Sequence, residues 1–368
     1  MKKLLLCGVA ALAITAAAPA KAEGIDLGLG GYFIGYGLYN GQDEAAGDSI
    51  RSFDFRKETE IHFNGETTLD NGLTVGGHVE LAADRAADAG EGTIEESYAY
   101  FSGGWGRVNF GEEDGASYLL QVAAPSADDN IDGLRPDLNT LDTATFPTGV
   151  GSPLDYAADA TGYANKITYI TPLFSGFQAA ASFTPDVTGD NASATAADDD
   201  DDVGVFNNAW EVAGRYQGTF QAVDLTLGAG YQRLTTEEDA VAATAVASEA
   251  RDVMNAGVRV GFGAFGLGGA YVQDDNGVET DGDTTTWVAG ADYTTGPFKV
   301  GVSYLDREAE VNVPGVGPET DADRWTAGVG YQYGPGMSLN GSVSRVSADA
   351  GAVDADATQV AIGTRVDF

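Results

Sequence analysis

The feature that most constrains this chain is a period of two that recurs from end to end. In Ser52–Leu69 the odd positions read Phe53, Phe55, Lys57, Thr59, Ile61, Phe63, Gly65, Thr67 and Leu69, and the even ones Asp54, Arg56, Glu58, Glu60, His62, Asn64 and Glu66. One face is apolar and the other charged, the signature of a strand with two different environments. Asp70-Asn71-Gly72 follows, with Asn-Gly supplying the positive φ of a tight hairpin. Leu73, Val75, Gly77, Val79 and Leu81 then alternate with Thr74, Gly76, His78 and Glu80. The pattern predicts sixteen strands, near 26–39, 52–69, 72–82, 93–101, 106–111, 163–171, 177–184 and 208–217, then 222–234, 252–262, 265–273, 284–293, 298–305, 324–333, 337–346 and 357–368.

Short and long connections between these strands alternate without exception. The eight long ones, from Asn40–Arg51 to Ser347–Asp356, hold 41 of the 56 acidic residues, whereas the short turns hold only Asp70. In an up-and-down barrel alternate connections emerge at one rim, so length and charge select the same polarity. The expected fold is all-β: a 16-stranded antiparallel up-and-down transmembrane barrel, apolar outside and polar within.

Met1–Ala22 reads as a cleaved signal peptide: Lys2 and Lys3, the apolar run Leu4–Ala18, then Ala20-Lys21-Ala22. It holds the one cysteine, Cys7, so the barrel domain 23–368 must cohere without disulfides. Its removal takes three lysines and no acid, leaving 16 basic against 56 acidic residues, a formal charge of −40. That balance excludes nucleic acid as a partner. No run approaches the roughly 20 apolar residues of a membrane helix, but a barrel strand needs only about 9–11 that alternate.

Several motifs require a decision. Gly261–Gly266 matches the dinucleotide fingerprint in letters only, because a strand follows it where that site needs a helix. By parity His62 faces Glu80 and Asn64 faces His78 on the polar side; with no nucleophile and no third ligand in view, a hydrogen-bonded pore wall is expected and not an enzyme. Asp198–Asp202 lacks the Gly and distal Glu of an EF-type loop, so weak Ca²⁺ association at Asp198, Asp200 and Asp202 stands as a hypothesis, with no other cofactor expected. Arg56, Arg107, Lys166, Arg215, Arg259, Lys299, Arg324 and Arg365 fall on polar-face positions, where a base avoids the roughly 2–4 kcal/mol it costs at the lipid midplane. Lys57 breaks the rule, being on the apolar face. Aromatic residues beside the short turns, including Tyr98, Tyr100, Phe101 and Trp105, are read as an interfacial girdle. Glu112–Gly162 stands apart: it has no period, it carries ten acids against Arg135, and its length marks it as functional.

The export signal, the sixteen segments, the outsized loop after the fifth strand and the terminal Phe368 together resemble a general porin of the Gram-negative outer membrane. Gly28-Leu-Gly-Gly-Tyr32 and the Asn165–Phe183 hairpin with its Pro-Leu-Phe-Ser-Gly turn are similar to alphaproteobacterial porins. The resemblance covers the whole mature chain and implies a homotrimer in outer-membrane lipid and lipopolysaccharide. It also implies a third loop, 112–162, folded inward as a constriction for small hydrophilic solutes. Carried over, Asp128, Asp129, Asp132 and Asp137 form the acidic side, facing Arg56, Arg107, Lys166 and Arg215, with His62, His78, Glu60, Glu80 and Arg324 elsewhere on the lumen wall. The enterobacterial Pro-Glu-Phe-Gly-Gly loop motif is absent. An acidic mouth favours cations, so mild cation selectivity is expected. The alternatives are a substrate-specific channel and, further off, a non-conducting structural or adhesin barrel.

Overall fold

The computed structural model describes residues 24–83, 93–142, 146, 154–187, 206–236, 249–278, 282–310, 319–351 and 353–368. The expected signal peptide and Asp198–Asp202 lie outside them. Among the described residues the chain forms sixteen strands. They are β1 (Asp26–Gln42), β2 (Phe53–Thr68), β3 (Thr74–Ala82), β4 (Thr93–Gly103), β5 (Gly106–Glu112), β6 (Asn165–Ile170), β7 (Phe177–Thr184) and β8 (Phe206–Phe220). The second half comprises β9 (Val223–Thr236), β10 (Arg251–Phe262), β11 (Phe265–Asp274), β12 (Thr284–Thr295), β13 (Phe298–Ala309), β14 (Thr320–Gly334), β15 (Met337–Ala350) and β16 (Val353–Asp367). Two short helices, α1 (Ala116–Leu119) and α2 (Asp129–Asp132), lie between β5 and β6. Each strand pairs with its sequence neighbours, and β1 pairs antiparallel with β16 to close the barrel, which leaves no open edge.

The register follows from the turns. Leu69 N–H donates to the Leu73 carbonyl, which sets His62 opposite Glu80 and Asn64 opposite His78, as parity requires. Gly263, between β10 and β11, has φ +59 although a Cβ there would meet nothing, so only the sign of its φ calls for glycine. One connection differs from expectation. Ser347–Asp356 is not a long loop: β15 runs to Ala350, paired with Val353, because Asp349, Asp354 and Asp356 are exposed and do not interrupt pairing.

The outward face carries the exposed apolar residues, among them Phe55, Phe110, Trp210, Trp287, Val300, Trp325 and Ile362. Tyr98 and Tyr100 are not part of that belt. They share the inward face with His78 and Arg107, whose guanidinium carbon lies 3.8 Å from the Tyr100 ring centre, so only Phe101 and Trp105 of that group face out. The inward face is not uniformly polar either. Near the long-loop rim Val253, Val272, Val288, Leu305, Ala322 and Val346 point inward and form one cluster with Leu141, Phe146, Leu154 and Tyr156. There the alternation inverts, since the barrel interior is filled by its own chain and the exterior is wet.

Candidate functional site

The segment between β5 and β6 is built into the lumen by contacts with the inward face of strand after strand. Ser182 of β7 accepts from the Ala116 N–H (2.8 Å), and the buried Glu211 carboxylate of β8 accepts from Ser117 N–H (3.0 Å) and Thr161 Oγ1 (2.7 Å). Asn255 of β10 donates to Ser117 Oγ (2.7 Å). Residues 120–127 then cross the inner wall along a track of glycines. At Gly228, Gly257, Gly268, Gly290 and Gly301 a Cβ would run into Val122, Pro125 or Ser126. At Gly290 it would collide with the Pro125 carbonyl oxygen. The wall gives up side chains where the loop lies against it, and no residue larger than glycine fits there.

Beyond the track come the aspartates expected to face the pore, and each finds a different partner. Asp128 accepts from the Tyr36 hydroxyl of β1 (3.0 Å) and from the Asn130 side chain (3.1 Å). Burial pushes its carboxyl up to about 6, with the Tyr36 and Asn130 hydrogen bonds opposing. Asp129 is exposed and lies 3.3 Å from Lys299 Nζ. Asp132 is buried and turned back on its own segment, accepting from the Ala127 and Asp128 amides (2.8 and 2.7 Å) and from Ser303 Oγ. Asp137 meets Arg365 (3.2 Å); burial raises its carboxyl to about 6 against the pull of that arginine. Arg324, fully inside, donates to the Ile131 carbonyl (3.3 Å). Thr140 and Gln359, then Asp142 and Gln42, continue the seam to β16 and β1.

The bases that reach these aspartates are therefore Lys299 and Arg365, not the four named from the sequence. Lys166, one residue into β6, instead donates to the Gly162 and Ala164 carbonyls (2.8 and 2.7 Å) and to that of Glu113, tying the two stems of the loop. Arg56, at the long-loop end of β2, lies 3.7 Å from Asp54. Arg107 donates to Asn109 (2.5 Å) and Arg215 to Gln178 (3.1 Å). Arg135 of the loop spans Asp114 (2.8 Å) and Asp159 (2.7 Å) and stacks on Tyr118.

Beyond the loop's stem, the lumen face of β2–β5 stays clear of these contacts and carries the large side chains: Arg56, Glu60, His62, His78, Glu80, Glu96, Tyr98, Tyr100 and Arg107. A family model described as Gram-negative porin matches residues 8–352. The chain belongs to that family. A porin of this family is an outer-membrane pore protein. No curated protein matches the sequence. Among solved structures, the barrel is similar to the anion-selective porin from Comamonas acidovorans (18% identity, TM-score 0.63, covering 94% of this chain and 100% of that one). It is also similar to a mutant of the Rh. blastica porin (19% identity, TM-score 0.56, 93% and 100%). At these identities the likeness is one of fold. The porin's glycine track escaped the sequence reading because glycine in a strand looks like mere irregularity; its signal was that Gly228, Gly257, Gly268, Gly290 and Gly301 all occupy polar-face positions.

Proposed function

We propose that this porin is a pore for passive diffusion of small hydrophilic solutes and ions. Its narrowest passage lies between the docked loop and the face of β2–β5. The observation that carries this reading is the one-sided docking: beyond its stem, where Glu113 accepts from Asn109 of β5 and Glu96 of β4 accepts from the Asp114 amide, the loop engages the inward face of β6–β16 and β1 and leaves the rest of β2–β5 to line a passage. Asp129 and Asp137 hold charge on the loop side, and Glu60 and Glu80 stand among Arg56 and Arg107 opposite. With the acidic long-loop rim this favours mild cation selectivity. The lumen fields act over a screening length of about 8–10 Å. The kinship with alphaproteobacterial porins belongs to the same proposal.

The assembly is a homotrimer in outer-membrane lipid and lipopolysaccharide. Its physical support is that β5, β6 and β7 have 7, 6 and 8 residues, below the roughly 9–11 a lipid-facing strand needs. Phe110, Ile167, Leu173 and Phe174 stay exposed there, and a second copy would cover them. Purified protein in a planar bilayer tests the reading. Large ohmic steps in groups of three, with a reversal potential of cationic sign, are expected. Absence of conductance would sink it, and block by a single sugar would make it a specific channel.

A further inference from the structure

The bare wall holds a cluster that passive diffusion does not require. Glu60 and His62 on β2, His78 and Glu80 on β3, and Glu96 on β4 converge on the lumen side. His62 Nε2 lies 3.2 Å from Glu60 Oε2 and 3.3 Å from Glu80 Oε2. His78 Nε2 lies 3.5 Å from the same Glu80 oxygen and 3.4 Å from Glu96 Oε2. Within Glu60–His62–Glu80 and within His78–Glu80–Glu96 the ligand atoms all fall within 4.8 Å of one another. Sequence parity had paired His62 with Glu80 and found no third ligand. The third ligands come from the same strand two residues away and from the next strand over.

Two magnitudes decide between a hydrogen-bonded wall and a metal site. A charge-assisted hydrogen bond closes to about 2.7–2.9 Å; the His62–Glu60 contact is a longer hydrogen bond of 3.2 Å, and the other three nitrogen–oxygen separations are 3.3, 3.4 and 3.5 Å. Ligands bound at about 2.1 Å around a tetrahedral ion stand about 3.4 Å apart along each edge, and the four nitrogen–oxygen separations lie close to that value. His78 Nδ1 donates to Asn64 Oδ1 at 2.6 Å, which fixes the ring with its Nε2 turned toward Glu80 and Glu96. Three carboxyl groups crowd two imidazoles here. The closest guanidinium groups, Arg107 and Arg365, are stacked on Tyr100 and Tyr32. A cation among the five side chains relieves this arrangement.

We propose that the cluster binds a divalent transition-metal ion of the zinc class, in two adjoining three-ligand positions that share Glu80 and leave further coordination to water. Imidazole with carboxylate selects such ions, whereas Ca²⁺ and Mg²⁺ are bound by oxygen alone. His62, His78, Glu80 and Glu96 are partly exposed to the lumen and Glu60 is buried behind them, so the ion enters from the pore. Glu308, Glu319 and Asp321 also cluster, but they are fully exposed and lack an imidazole.

The test is calorimetric titration of chelator-treated protein in detergent with zinc chloride at neutral pH, together with zinc X-ray absorption of the saturated wild type. Saturation at one or two ions per chain and imidazole scattering in the absorption spectrum are expected. His62→Gln and His78→Gln should each weaken uptake at least tenfold, and the pair should abolish it. Asn64→Ala, which frees the His78 ring, should cost about 10–100-fold. No saturable uptake by the wild type overturns the proposal. So does equal uptake by the double variant, displacement by equimolar Ca²⁺, or a spectrum without imidazole. The wild-type spectrum decides even if the variants fail to fold, and none of these readouts depends on conduction.

Discussion

The two sides of the lumen solve opposite problems with the same strand geometry. From β6 round to β16 and β1 the inward positions are small or short where the loop lies flat on the wall: the glycine track, Ser182, Ser303, and near the rim the alanines and valines that pack on Leu154 and Tyr156, while the long ones, Glu211, Lys299, Arg324 and Arg365, each reach a loop partner. From β2 to β5 they are long and charged. A wall that must hold a loop removes its own side chains, and a wall that must meet solutes projects them. The difference lies in what faces the strands and not in the strands themselves.

The docked half should respond to substitution as a protein core. Leu154→Ala is expected to cost about 2–5 kcal/mol of loop docking and Gly290→Val about 1–3 from overpacking. Both should raise single-channel conductance and let larger solutes pass in a liposome-swelling assay; unchanged conductance would mean the loop is not held by this seam. Next comes a contrast within the loop. Asp132→Asn, which disturbs the acceptor of two buried amides, should lower the midpoint of thermal unfolding by an amount equivalent to about 1–3 kcal/mol with little change in ion selectivity. Asp137→Asn, against Arg365, should do the reverse. If both variants shift selectivity equally, the division between structural and pore-facing aspartates fails.

A smaller effect follows from pH. Burial raises the carboxyls of Asp128, Asp137 and Asp155 to about 6 each, against 3.8 ordinarily. Between those values the docked state holds more protons than the undocked one, so docking weakens as pH rises through that window. Channels should close less readily at pH 7 than at pH 5, as read from the dwell time of the narrow state. The least effect is expected at the rim: Arg51, 80% exposed and 3.9 Å from Asp54, should contribute below about 1 kcal/mol, and Arg51→Ala should leave stability unchanged in urea titration.

The barrel was legible because a closed sheet imposes its period locally. Phe53 to Leu69 display both faces of β2 without reference to any other strand. The rim end of β15 and β16 was misread because acids in a strand look like a loop when the outer face is assumed to meet lipid. The partners of the loop aspartates were not legible. Lys299 is 170 residues from Asp129 and Arg365 is 228 from Asp137, and parity says which bases face inward but not which lies under which turn of an aperiodic segment. Lys166 was drawn into the constriction by its parity, but its position as the second residue of β6, beside the loop's stem, makes the stem carbonyls its acceptors. Register alone placed His62 opposite Glu80; Glu96 needed the neighbouring strand pair as well.

Arg135 has a consequence for how the loop can move. By joining Asp114, near the segment's start, to Asp159, near its end, it closes a ring of chain inside the barrel. The entropic cost of closing such a ring grows only as the logarithm of its length, so the clasp fixes the two ends together at small cost while the chain between them is held by its contacts with the wall. A membrane voltage or a crowding solute then acts on a preassembled flap whose ends stay clasped. Displacement becomes a single cooperative event, and partial fraying from one stem is suppressed.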